Sequence, residues 1–360
     1  MKFNFFEKVL LFSFLFIGTS FVCIYSTFST QGDAFFFEQP ASLISVVNPQ
    51  EDIKVDPLVP VFNPSGLDWQ ALTLQAPWAK RDSQAVIVFK DKLWLFGGVG
   101  GTAPVYSPNY NDVWNSEDGV NWTLVTSSAP WAGRRSHNVL VFQDKIWLFG
   151  GAGKNEKYFN DVWMSEDGIS WQKITDNAAW TPRKGFAATV FKDKMWVMGG
   201  IDGKDVKNDV WYSENGKDWF LAIKKAAWSP RLGLITEVYD NKIWMAGGNF
   251  PDKMGQKDVW NSEDGIVWNK VTDAPWKGRH CYCLISYNGY LWVIGGWSGY
   301  AVGFNDVWFS KDGISWQKTE KASLWKGRED LSCVEFQKKI FMMAGMKSNG
   351  QRTNDVWMSI

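Results

Sequence analysis

The feature that most restricts what this chain can fold into is an internal repeat. Paired glycines end an apolar run at Gly97-Gly98, Gly150-Gly151, Gly199-Gly200, Gly247-Gly248 and Gly295-Gly296, with Ala344-Gly345 as a sixth copy. The spacing between copies is 48 to 53 residues. An aromatic precedes each pair: Trp94, Trp147, Trp196, Trp244, Trp292 and Phe341. Asn-Asp-Val-Trp follows, ending at Trp114, Trp163, Trp211, Trp308 and Trp357; the copy ending at Trp260 carries Lys257 in place of the asparagine. All but the last run into a Ser-x-Asp-Gly turn or a close relative, followed by Trp122, Trp171, Trp219, Trp268 and Trp316. A further series, Trp78, Trp131, Trp180, Trp228, Trp276 and Trp325, stands three residues before an arginine. Of the 24 tryptophans 22 belong to these series and Trp69 to an orphan fourth-strand copy at the front, leaving only Trp297 outside the repeat, so the tryptophans are core before they are a binding surface.

Each unit reads as four short strands: in the first, Gln84 to Phe89, Lys92 to Phe96, Asp112 to Ser116 and Asn121 to Val125. Alternating apolar residues and tight-turn pairs between them describe an antiparallel meander. One such sheet cannot bury both faces, but a ring of sheets can. A period of about 50 favours the longer of the two common propeller repeats, the shorter running to about 40–45. The last unit stops before its fourth strand, while Ser65 to Trp69 matches Asp118 to Trp122. Leu67 to Leu74 is therefore expected to complete the final blade. The expected fold is all-β: a six-bladed propeller over residues 66–360, closed by its N-terminal strand.

The double glycine, the aromatic of strand three, the tryptophan of strand four and the arginine at the crossing resemble the kelch-repeat family, whose strand-three tyrosine is tryptophan here. The central domain of galactose oxidase is of this kind. The Ser-x-Asp-Gly-x-x-Trp turns resemble, one residue short, the Asp-box of sialidases. That resemblance places them away from the active face, with the aspartate bonding its own turn. Galactose oxidase needs two tyrosines, two histidines and a tyrosine–cysteine crosslink for copper, and His137 and His280 lie in separate units without such partners. Sialidases need an arginine triad and a tyrosine nucleophile that have no unique assignment here. Periplasmic sialic acid epimerases are six-bladed kelch propellers of similar size. A carbohydrate-active enzyme, such as an epimerase or mutarotase of acidic sugars, is therefore the alternative to a binding module.

With 38 basic and 38 acidic residues no global field draws the chain to nucleic acid, and no nucleotide or metalloprotease motif is present. Two histidines and four cysteines point away from a multi-histidine metal centre and from a disulfide scaffold. No metal or cofactor is expected. Val9 to Tyr25 is free of charge and follows Lys2 and Lys8. Residues 1–29 read as a secretory signal peptide or an outward-facing membrane anchor, and the proline-bearing stretch 30–65 as a linker. The propeller is then extracytoplasmic: secreted, periplasmic or tethered. Cys281 and Cys283 alternate on one strand, too close to bridge each other comfortably, with Cys333 on the neighbouring strand as the other candidate partner, but free buried thiols are the expectation.

Crossings and strand-two-to-three loops share one rim, which carries Arg81, Arg134, Arg183, Arg231, Arg279 and Arg328. Guanidinium forks there suit carboxylates, although a residue common to six blades also suits a shared packing role. Function is more readily sought in what differs between blades. The triplets after the arginines include Arg135, His137, His280, Glu329 and Asp330, of which the last three form a weak acid–base candidate. Aromatics on the same rim, Trp297 and Tyr300 foremost, would suit a sugar or a peptide. The expected function is an exported interaction module that binds a glycan or protein through this rim.

Overall fold

The computed structural model describes residues 14–17, 20–23, 62–103, 107–250, 255–299 and 302–360. The chain divides into two units, 1–59 and 60–360. In the first, Phe14–Ile17 pairs antiparallel with Ser20–Cys23. Among the described residues no helix is long and apolar enough to cross a membrane.

The second unit is a ring of six four-stranded antiparallel sheets. Blade 1 runs Ala85–Phe89, Lys92–Phe96, Val113–Ser116 and Trp122–Thr126. Blade 6 takes three strands from the C-terminal end and its outer strand, Trp69–Thr73, from the front. Trp357 lies opposite Ala71 and Ser359 opposite Trp69, which closes the ring as the sequence predicts. The first strand of every blade touches the first strand of both neighbours, so these six line the channel. The propeller unit also begins earlier than Gly66: Phe62 packs against Tyr287, Tyr290 and Trp292 of blade 5.

There is no single core. Six apolar clusters lie one between each adjacent pair of blades; Trp78, Leu93, Leu95 and Trp122 of blade 1, for example, meet Phe336, Phe341 and Met343 of blade 6. Each crossing tryptophan meets an outer-strand tryptophan edge to face, as Trp180 meets Trp219 at 5.8 Å and 87° and Trp78 meets Trp122 at 6.0 Å and 86°. Such a pair adds about 1 kcal/mol beyond its area burial. The turn glycines sit under the neighbouring blade: a Cβ on Gly216, whose φ is +73°, would lie 2.1 Å from the Trp147 ring. Glycine is required there for both φ and space. The turn aspartates behave as expected, Asp118 Oδ1 accepting from the N–H groups of Val120 and Asn121 at 2.8 Å.

The Asn-Asp-Val-Trp segment is a set of fasteners. Asn160 donates to the carbonyls of Ala178 and Trp180 on the crossing into the next blade. Asp161 accepts both terminal nitrogens of Arg134 at 2.7 and 2.9 Å, and the Trp163 indole N–H at 2.8 Å. The same clamp joins Arg81 to Asp112, Arg183 to Asp209, Arg231 to Asp258, Arg279 to Asp306 and Arg328 to Asp355. All six guanidiniums are buried, and each also donates to the carbonyl of the first residue of the glycine pair. Removing one partner of such a pair strands the other charge. Arg231→Ala is expected to cost about 3 kcal/mol or more by urea unfolding. A loss well under 1 kcal/mol would show that the clamp is not structural.

Candidate ligand site at the channel mouth

The clamp fixes where each crossing turns into its inner strand, and the three residues after each arginine are held by it. The middle residue of every triplet adopts the left-handed conformation: Ser83, Ser136, Gly185, Gly233, Cys281 and Asp330 have φ between 48° and 62°. Their peptides join into a closed circle. Ser136 donates to the Ser83 carbonyl, Gly185 to Ser136, Gly233 to Gly185, Cys281 to Gly233, Asp330 to Cys281 and Ser83 to Asp330, at 2.8 to 3.3 Å. Four non-glycine residues hold this costly conformation because the circle needs it. The first residue of each triplet pairs with the residue after the glycines, His280 with Trp297 and Arg135 with Ala152 for instance. Backbone donors and acceptors of the circle are thus engaged, and a ligand here is read by side chains.

Those side chains surround a cavity of about 440 Å³. On the side of blades 5 and 6 stand His280, Cys281, Glu329 and Asp330; opposite, from blades 2 and 3, stand Arg135 and Lys184. Gly185 and Gly233 leave the wall between blades 3 and 4 without side chains at that level. Both cations are tied to Glu156, Lys184 at 2.6 Å and Arg135 by a close ion pair. Behind the acidic wall Arg352 Nε donates to Asp82 at 2.6 Å, with both side chains buried. Among the described residues Glu329 has no such partner: burial, then the charges of Asp330 and Asp82, push its carboxyl up to about 9. Burial lowers His280, opposed by the Asp330 charge, and raises the Cys281 thiol.

The sequence-predicted residues divide cleanly. Arg135, His137, His280, Glu329 and Asp330 line the cavity. Arg81, Arg134, Arg183, Arg231, Arg279 and Arg328 do not: they lie inside the ion pairs described above, and the carboxylates they were expected to clamp are those of their own blades. Rim aromatics cover them, Tyr110, Phe159 and Phe304 stacking over Arg81, Arg134 and Arg279 at 4.3 Å. Trp297 is half-buried beside His280 and is not part of the cavity wall. Tyr300 lies outside the described residues. A further correction concerns the cysteines. Cys283 and Cys333 form a disulfide with Cα atoms 6.1 Å apart, joining the inner strands of blades 5 and 6, and leave Cys281 free. Adjacent strands place them at bridging distance. Glu156 and Arg352, which complete the two walls, lie in loops of unequal length where no periodic signal marks them.

A family model described as the KLHDC2/KLHL20/DRC7 Kelch-repeats domain matches residues 118–272. With six blades, double glycines and crossing arginines in place, the chain is a six-bladed β-propeller whose repeats are similar to the kelch repeat. Among solved structures it is similar to one described as "Structure of YjhT", with a TM-score of 0.65 and 17% identity over 80% of this chain and 96% of that one. At that identity the likeness is one of fold. No curated protein sequence matches the chain.

His137 offers a test of the site's burial. It is buried against Trp131, neither ring nitrogen has a hydrogen-bond partner among the described residues, and burial followed by the Arg134 charge lowers its pKa to about 3. The neutral ring is thus favoured on folding. That stabilisation is complete above the unfolded value near 6.5 and is lost as pH falls towards 3. His137→Phe, the residue found at the matching position 186, is expected to be tolerated. Its stability advantage over the native chain should grow on acidification, reaching about 2 kcal/mol at pH 5 by thermal or urea unfolding. An advantage that does not change between pH 8 and pH 5 would contradict the burial.

Proposed function

We propose that this chain, on a kelch-like scaffold of a kind that typically serves as an interaction module, is an extracytoplasmic binding propeller whose channel mouth takes a terminal sugar of a glycan. The observation that carries the reading is the cavity of about 440 Å³, walled by His280, Glu329 and Asp330 on one side and Arg135 and Lys184 on the other. Its volume is in the range of small-ligand sites, about 300–1,000 Å³. Polar side chains at the mouth, above apolar walls such as Val139, Phe186 and Leu234, suit a polyhydroxylated ring, which offers both hydroxyls and C–H faces. Because the peptide circle is closed on itself, specificity falls to these unequal side chains rather than to the repeat. Export is supported by the Cys283–Cys333 disulfide, since such bonds persist in oxidising compartments. The charge-free stretch Val9 to Tyr25 is in keeping with a signal or anchor.

The test is a glycan array read with the native chain, Asp330→Asn and Arg231→Lys. Asp330→Asn is expected to weaken binding at least about tenfold, a loss of about 1.4 kcal/mol. Arg231→Lys keeps the cation of a clamp whose triplet, Leu232-Gly233-Leu234, supplies none of the polar walls, and should change stability while leaving affinity within about twofold once the protein is folded. Absence of glycan binding, or binding indifferent to Asp330→Asn, would sink the reading. A change in the sugar itself, followed by NMR during the same incubation, would replace binding by catalysis.

A further inference from the structure

Three donor types that seldom gather by accident meet on the acidic wall. One donor atom each of His280, Cys281 and Glu329 lies within 4.8 Å of the others. His280 Nδ1 and Cys281 Sγ are already 3.2 Å apart. In a tetrahedral zinc site the donors stand about 3.5 Å from one another, given bonds of about 2.0–2.3 Å. Small side-chain rotations would therefore bring Glu329 into the set.

The backbone under these three is fixed from both sides. His280 exchanges two hydrogen bonds with Trp297 at 3.0 Å. Cys281 is a link of the peptide circle, its N–H donating to Gly233 and its carbonyl accepting from Asp330. Glu329 is paired with Met346 across a short ladder. Ligands on such a frame are preorganised for a metal.

Two further observations favour a cation here. Glu329 is only 8% exposed, faces the cavity and accepts no hydrogen bond among the described residues. A buried carboxyl without a partner is uncommon unless an ion or proton satisfies it. Asp82 and Asp330 gather beside Glu329, and Arg352 is held in an ion pair with Asp82 while its charge also acts on Glu329. Imidazole, thiolate and carboxylate together match zinc or a metal of similar softness rather than magnesium or calcium.

We propose that His280, Cys281 and Glu329 bind one divalent zinc-class ion at the channel mouth, with a fourth position open to the cavity. Binding displaces the Cys281 thiol proton, and the carboxyl proton of Glu329 where present, to solvent as the two groups become anionic ligands. The site joins blades 5 and 6, as the Cys283–Cys333 disulfide does below it. An open fourth position is the pattern of zinc sites that take a substrate or ligand atom.

The proposal does not depend on the sugar reading, because metal uptake is measured with no sugar present. The full chain, stripped with chelator, is titrated with Co²⁺ and Zn²⁺ alone. The expected result is one Co²⁺ per chain with a thiolate-to-cobalt absorption band, bleached by one equivalent of Zn²⁺. Cys281→Ser should abolish the band, and His280→Ala and Glu329→Gln should each weaken uptake by more than about tenfold. Glu329→Gln is nearly isosteric, and unfolding midpoints of the apo variants separate lost ligation from lost fold. No uptake by the native chain, a band that survives Cys281→Ser, or affinity indifferent to His280→Ala or Glu329→Gln overturns the assignment.

Discussion

The structure depends on a carboxylate–guanidinium pair used six times. Asp161 illustrates it: its two oxygens take the fork of Arg134 and the indole N–H of Trp163, while Arg134 also donates to Gly150 O. One side chain thereby ties the incoming crossing to the second and third strands of its blade. The pair is sheltered beneath aromatics such as Phe159, which limits screening by solvent. A buried pair is not a large net source of stability, but it is costly to break. Its value here is geometric. It fixes the backbone of the three residues that follow, and these build the channel mouth.

With the crossings fixed, the six left-handed residues can close their circle of peptide hydrogen bonds. That circle explains how a uniform scaffold and an unequal site coexist. Backbone requirements are met identically in every blade, by Ser83, Ser136, Gly185, Gly233, Cys281 and Asp330 alike. Side chains at these positions and just before them carry no common structural task, so they can differ. They do differ, and the difference has direction: carboxyls, imidazole and thiol lie on the side of blades 5 and 6, and cations on the side of blades 2 and 3. The zinc proposal and the glycan proposal both draw on this polarity, but only the first needs Cys281.

Much of the fold was legible in the sequence because repetition reports geometry directly. The paired glycines, the turn aspartates and the orphan Trp69 gave blade number and closure without any long-range inference. The site was legible only in part. His280, Glu329 and Asp330 were visible because they break the pattern of their triplets. The arginines were legible in part: a residue common to six blades points to the shared packing role that they have, against tryptophan and backbone carbonyls, but nothing local reveals that Asp258, 27 residues on, is the carboxylate that holds Arg231. Cys283 and Cys333, separated by 50 residues, pair because adjacent inner strands bring them together, which their spacing alone does not determine. Arg352 and Glu156 sit in loops whose paths follow no period.

Native-state hydrogen exchange at the six circle amides tests the account most directly. If the circle is closed, the N–H groups of Ser83, Ser136, Gly185, Gly233, Cys281 and Asp330 are released only when the propeller unfolds. Their protection should then match that of the inner strands and fall equally in a clamp variant. Rapid exchange at these positions, with the inner strands still protected, would show an open channel mouth with its peptide groups free to bind. That result would contradict the claim that recognition rests on the unequal side chains.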